Sequence, residues 1–304
     1  MSIKKFLFFI LTGLFLTVVI PAQVRYTVIP ESPRPGEPVT IGLDTFATEA
    51  VLFVNGEQKG KAKCFIVPPG YRQRSFTAAI ITIPTTIEAD NAVIRVNNEN
   101  GILCEIHIKI SPREFRSETL HLTPSLTTLV TDQSDQRAAE SNRLWAILTT
   151  NGTDIYHTDQ FIPPVTSTRR TSHFGSRRIN QYSDGRRVTS IHAGVDYGIP
   201  TGTEIVACGA GRVVLARNRI ISGYSVIIEH APGVYSIYYH LDKILVEENT
   251  NVETRDLIGL SGSTGFSTGP HLHWEIRINT ENTDPDFFLE RPLIDKNLIN
   301  SRIY

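Results

Sequence analysis

The sequence predicts a mainly β protein in two parts: an immunoglobulin-like β-sandwich, then a joint with one helix, then a second, antiparallel β unit. Three observations carry this. Short β-branched runs separated by turn residues recur between Val24 and Pro112, and glycines punctuate equally short strands after Arg170. Only the stretch between them holds consecutive strong helix formers. The 304 residues suit two units at the usual ~100–200 residues per domain.

Composition narrows the possible functions. With 30 Lys and Arg against 31 Asp and Glu, the formal charge is -1, so nothing suggests the basic surface that a nucleic-acid partner requires. An apolar content of 40% with 20% charged residues describes a folded chain. Only 3 Cys are present, which excludes a disulfide-dense scaffold and a four-thiolate zinc site. Any metal is therefore expected on His and carboxylates.

The elements follow in chain order. Lys4 and Lys5 precede an apolar run from Phe6 to Ile20, and Pro21-Ala22 leads into polar sequence. This is the pattern of a signal peptide, 1–22, with cleavage after Ala22 leaving Gln23 first. The run is shorter than the ~20 residues of a spanning helix, so no permanent membrane span is expected. The mature protein is expected to be exported, periplasmic or extracellular.

Residues 23–112 read as the sandwich. Val51 to Val54 runs into Asn55-Gly56, a strong hairpin signal, and Cys104 to Ile110 alternates Ile with polar residues as a half-buried strand does. Cys64 and Cys104 could be bridged in an oxidising compartment, or reduced and buried. Residues 113–170 read as the joint. Asp132 to Leu148 is helical and ends at Asn151-Gly152, with Leu144, Trp145 and Leu148 as its packing face. Phe161 through Pro163-Pro164 to Arg170 reads as an extended linker. Residues 171–304 form the second unit, with strands such as Gly211 to Leu215 and Tyr224 to Ile228. His107, His121 and His157, which precede it, are assigned to surface or packing.

Two patterns in the second unit carry chemistry. In His271-Leu272-His273 a strand would turn both imidazoles to one face. In His192-Ala193-Gly194-Val195-Asp196 the glycines and Pro200 argue against a helix, and a glycine-bent strand could bring His192 and Asp196 onto one ion. Together they supply His192, Asp196 and one imidazole of the pair: three ligands with an open fourth position, as in a catalytic zinc site. The other imidazole and His240 are then free to move a proton or stabilise an oxyanion.

At these residues the second unit resembles the lysostaphin-type (LytM-like) zinc metallopeptidases. The marks run in order: Phe174-Gly175-Ser176-Arg177-Arg178, His192 to Asp196, Gly202-Thr203, Gly211-Arg212-Val213, Tyr239-His240-Leu241, and Gly262-Ser263-Thr264-Gly265 through His271-Leu272-His273-Trp274-Glu275. They cover about 171–289. The resemblance implies one zinc ion on His192, Asp196 and His273, with His240 and His271 unligated and catalytic. It also implies hydrolysis of peptide bonds in bacterial peptidoglycan. An alternative is a non-enzymatic activator or wall-binding scaffold, but such relatives lose ligands or the loose histidines, and all five are present here. His230 is expected to be structural, His173 to stand off the metal, and Cys208 to be a small buried hydrophobe. Tyr182 and Tyr197 are available to assist an oxyanion. Asn249 and Arg255 stand where the family favours glycine, so that loop is expected to bend differently.

Overall fold

The structure is a computed structural model that describes residues 24–304; the expected signal peptide lies outside the described residues. The first unit is two four-stranded antiparallel sheets. Tyr26–Ile29, Pro38–Leu43, Phe76–Thr82 and Phe65–Val67 form one in that order, and Glu57–Lys63, Glu49–Val54, Asn91–Asn98 and Gly101–Lys109 form the other. Period-two alternation fills the space between them: Ile41, Leu43, Leu52, Ile81, Ile94, Val96 and Ile106 share one buried cluster. Asn55 and Gly56 both take positive φ, 51° and 80°, as the hairpin expected at this dipeptide requires. Cys64 and Cys104 are both free thiols.

The second unit is built on a ten-stranded sheet whose central run is Val195–Tyr197, Leu272–Ile278, Val234–Ile244, Gly223–Ala231 and Gly211–Arg219, all antiparallel. The alternation again sorts the faces. Leu272, Trp274, Ile276 and Ile278 point into the main core, while His273 and Glu275 leave from the other side beside Tyr239 and Ile237.

The joint is more structured than a helix and a linker. A strand, Ser117–His121, pairs in parallel with Arg177–Gln181, and a short helix, Pro124–Val130, follows it. The expected helix spans Asp135–Thr150, capped by Ser134 and ending at Asn151. It lies on the same sheet face as His273, through Leu144, Ile147 and Leu148 against Leu215, Tyr235 and Ile237. Trp145, expected in that packing face, is instead 62% exposed. Phe161 to Val165 is extended but anchored: Phe161, Pro164 and Val165 are buried, and Phe161 and Ile162 donate their N–H groups to the Phe288 and Cys208 carbonyls.

The two units share one apolar cluster. Phe76, Ala78 and Ile80 of the sandwich join Phe287, Phe288, Ile299 and Ile303 from the C-terminal helices Pro285–Glu290 and Lys296–Ile303. At Gly42 the two units meet closely, since a Cβ there would overlap the Ile299 side chain. A buried Thr82–Thr283 hydroxyl pair at 2.6 Å and the Arg113–Asp284 ion pair complete the seam.

Candidate metal centre

Strand register brings the site together. Asp196 lies directly opposite His273 on the neighbouring strands Val195–Tyr197 and Leu272–Ile278. Gly194 makes the approach possible, because any Cβ there would collide with the Trp274 carbonyl. His192 arrives from the end of Arg187–Ile191, and its backbone is clamped on both sides, N–H to the Ser176 carbonyl and carbonyl to the Gly175 N–H, each at 2.9 Å. That is the local work of the Phe174-Gly175-Ser176 motif.

His192 Nε2, Asp196 Oδ1 and His273 Nδ1 converge in a triangle with sides of 2.7 to 3.1 Å. All three side chains are buried. The far side of each ring is engaged elsewhere: His192 Nδ1 donates to the His173 carbonyl at 2.9 Å, and His273 Nε2 meets Glu275 Oε1 at 2.9 Å. Once His273 gives up its Nδ1 proton, three acceptor lone pairs face one another, an arrangement that a cation satisfies. The donor set, two imidazoles and one carboxylate, suits a zinc-like ion.

The electrostatics agree with this. Burial alone would lower His273, but hydrogen bonds and charge from Asp196 and Glu275 outweigh it and hold the imidazole up at about 9. Burial alone would raise Asp196, yet the hydrogen bonds from His192 and His273 keep its carboxyl well below the usual range. Glu275 is held down in the same way, chiefly by the Arg277 charge against its burial. A metal ion bound here would have to displace a proton from His273.

The other two histidines stand next to the triangle. His240 and His271 have ring centroids 4.8 Å apart, and His271 Nε2 is 3.8 Å from Asp196 Oδ1. Each donates Nδ1–H to a backbone carbonyl at 2.8 Å, His240 to Thr264 and His271 to Gly269, which fixes the tautomer and leaves Nε2 as an acceptor. Burial, reinforced by His271 and His273, pushes His240 down to about 3, so it is neutral near pH 7. His240 sits in a β-bulge of Val234–Ile244 at φ 60°, the kind of local strain that re-aims a side chain. These five residues line one open groove of about 390 Å³.

Other candidates fall elsewhere. Tyr197 is buried against Trp274 and Tyr182 sits in a hairpin turn, so neither reaches the groove; the tyrosine that lines it is Tyr239, stacked on His273 at 5.7 Å. His173 contributes only its carbonyl. His230 is buried between the Ala210 carbonyl and Ser236 Oγ, and Cys208 beside it is pushed up to about 12 by burial. Arg255 does not avoid the left-handed backbone that its side chain disfavours. It takes φ 79° and Asn249 takes φ 68°, so both occupy the backbone state that glycine would.

Sequence reasoning missed three contributors. Glu275 and Arg178 lay inside the quoted motifs without a role, and two-residue spacing from His273 was the available signal for Glu275. Glu118 carried no signal, because it comes from the joint. Glu118 and Leu120 form part of the groove wall.

Comparison with known proteins agrees with the geometry. Residues 190–285 match Peptidase family M23. The peptidoglycan DD-endopeptidase ShyA of Vibrio cholerae is 39% identical over 126 residues, 41% of this chain and 29% of its own. The DD-carboxypeptidase/endopeptidase Mpg of Neisseria meningitidis is 40% identical over 124 residues, 41% of this chain and 28% of its own. An uncharacterized metalloprotease of Buchnera aphidicola is 40% identical over 131 residues, 43% of this chain and 34% of its own. The chain thus spans about a third or less of the length of these curated relatives. A crystal structure of an M23 peptidase from Pseudomonas aeruginosa shares the fold with TM-score 0.61 at 22% identity, over 84% of this chain and 94% of that one. Such coverage reaches beyond the second unit into the joint and the sandwich.

Proposed function

Because residues 190–285 carry a domain of peptidase family M23, we propose that the protein is a zinc metalloendopeptidase that hydrolyses peptide bonds in bacterial peptidoglycan. The observation that carries the reading is the triangle of His192, Asp196 and His273, with two unligated histidines beside it in one groove. One zinc ion on those three residues would supply Lewis acidity, lowering the pKa of water and polarising a peptide carbonyl. The chain's own part is proton handling. His240 and His271 present Nε2 acceptors that take a proton from the attacking water, and in protonated form they donate to the developing oxyanion or the leaving amine. The backbone carbonyls of Thr264 and Gly269 hold both rings in the required tautomer.

The relatives named as DD-endopeptidases make the bond between D-residues the first to test. Export to the periplasm or beyond belongs to the same reading, since it rests on the sequence before Gln23 and on where peptidoglycan lies. Among the described residues no helix is long and apolar enough to cross a membrane. The sandwich is read as immunoglobulin-like, because its strands, lettered along the chain, lie A-B-E-D and C′-C-F-G. We assign it 23–112, the joint 113–170 and the peptidase unit 171–304.

The test is digestion of purified peptidoglycan fragments, with products identified by mass and zinc measured on the same samples. The wild-type chain should hold about one zinc. His240→Ala and His271→Ala should keep it and lose roughly 10²–10⁴ in rate. His273→Ala should lose the metal first. A wild-type chain that binds zinc and cleaves nothing, with a biological effect surviving His271→Ala, would instead be a scaffold.

A further inference from the structure

Resting on the metal reading above, we propose that Glu118 of the joint is a positioning residue of the metal centre, neutralising the Arg178 guanidinium that holds the outward oxygen of Asp196. The strand Ser117–His121 enters in parallel register, with Glu118 directly beside Arg178. Arg178 Nε meets Glu118 Oε1 at 2.5 Å, and Arg178 Nη2 donates to Asp196 Oδ2 at 2.9 Å. Ser172 Oγ ties the network to a second ligand: it donates to Glu118 Oε1 at 2.8 Å, accepts from Arg178 Nη2 at 2.9 Å and lies 3.1 Å from His192 Nδ1. Residues from the joint, the first strand of the peptidase unit and the Phe174-Gly175 motif thus converge behind two of the three proposed ligands.

The physical argument has two parts. A guanidinium on Oδ2 fixes the carboxylate plane and leaves Oδ1 alone to face the triangle, as outer partners of metal ligands generally do. The same guanidinium is a full positive charge hydrogen-bonded to a ligand, which opposes the arrival of a dication. Glu118 cancels that charge. Both side chains are largely shielded from solvent, at 17% and 26% exposure, so screening by water does not do so instead. Asp196 cannot serve as the counter-charge, because its own charge is committed to the ion. A carboxylate from outside the peptidase unit therefore completes its metal centre.

The experiment uses the full chain. Zinc affinity is measured by chelator competition, coordination by the visible absorption of the cobalt-substituted protein, and folding by the melting temperature of the metal-free form. Glu118→Gln, close in shape, should weaken zinc binding about tenfold or more and shift the cobalt bands while the metal-free melting temperature barely moves. Glu118→Asp, which keeps the charge but draws it back, should fall between Gln and wild type. Adding Arg178→Met to Glu118→Gln should restore part of the lost affinity, because the uncompensated charge is then gone. Wild-type affinity and spectrum in Glu118→Gln would overturn the proposal. So would a double variant weaker than Glu118→Gln alone, which would make Glu118 only a tie between strands. A wild-type chain that binds neither zinc nor cobalt would overturn the metal reading itself, a distinct result.

Discussion

Two buried imidazoles in the same sheet, His273 and His230, have been driven in opposite directions by their neighbours. His273 faces two carboxylates and is held at about 9; His230 faces a carbonyl and a hydroxyl, and burial pushes it down to about 3. Location on the sheet decides this, since His273 leaves from the face that carries Asp196 and Glu275 while His230 stacks near Phe161 in the core. The second case has a measurable consequence. A histidine whose folded pKa is depressed stays neutral in the fold, while the unfolded chain takes up a proton below about 6.5. Its stabilising contribution is complete above that pH and is lost as pH falls toward 3, by about 1.4 kcal/mol per pH unit. Urea denaturation across pH 6.5 to 4 should therefore show a slope in metal-free protein that shrinks by about one proton in His230→Gln. An unchanged slope would mean that His230 is charged in the fold.

At the scale of elements, bends matter as much as strands. The Arg255 turn is held by hydrogen bonds from Arg255 N–H to the Ala207 carbonyl and from Ala207 N–H to the Asp256 carbonyl, so the chain keeps a left-handed residue there although its side chain disfavours it by ~1–2 kcal/mol. Relief of that strain opposes the greater freedom of a glycine in the unfolded chain, ~0.4–1 kcal/mol. Arg255→Gly is expected to be neutral to slightly stabilising in thermal denaturation, with zinc content unchanged; a loss above 1 kcal/mol would show that the side chain itself holds the loop. The same distinction explains how far the sequence could be read. Alternation and turn dipeptides were enough for the sandwich strands and the helix ending at Asn151, because those rest on local periodicity, whereas the choice of His273 over His271 beside Asp196 came from the family resemblance, since that pairing is a register between distant strands. The strand Ser117–His121 was not legible. Its sequence has no apolar alternation, and it exists because a parallel edge next to Arg177–Gln181 accepts its backbone. Glu118 was hidden with it. Trp145 misled for a related reason: helical spacing marks a stripe, and the sheet took the neighbouring stripe of Leu144, Ile147 and Leu148.

At the scale of the whole molecule, groove and stability draw on different parts of the chain. No described residue before Glu118 lines the groove; the sandwich touches the site from behind, where Gly36 packs against Phe174 and the Thr85 carbonyl accepts from Arg177 Nη2. It does cover Phe287, Phe288, Ile299 and Ile303, and the joint supplies the groove wall at Glu118 and Leu120 together with the helix that seals Tyr235 and Ile237. Truncation should separate these contributions. A fragment of 113–304 retains every groove residue but uncovers the apolar seam, and should keep about one zinc and its cleavage of soluble fragments while melting at a lower temperature and associating at high concentration. A fragment of 171–304 loses in addition the partner strand of Arg177–Gln181, the charge that balances Arg178, and the helical cover of the sheet face that carries His273. Exposing a face that carries Leu215, Ile227 and Tyr235 costs on the order of 25 cal/mol per Å² of apolar surface, added to the loss at the metal centre. Zinc affinity should therefore step down between 113–304 and 171–304, and not between the full chain and 113–304. The reverse order, with the metal weakened on removing the sandwich alone, would mean that the shared core rather than the joint sets the geometry of the site.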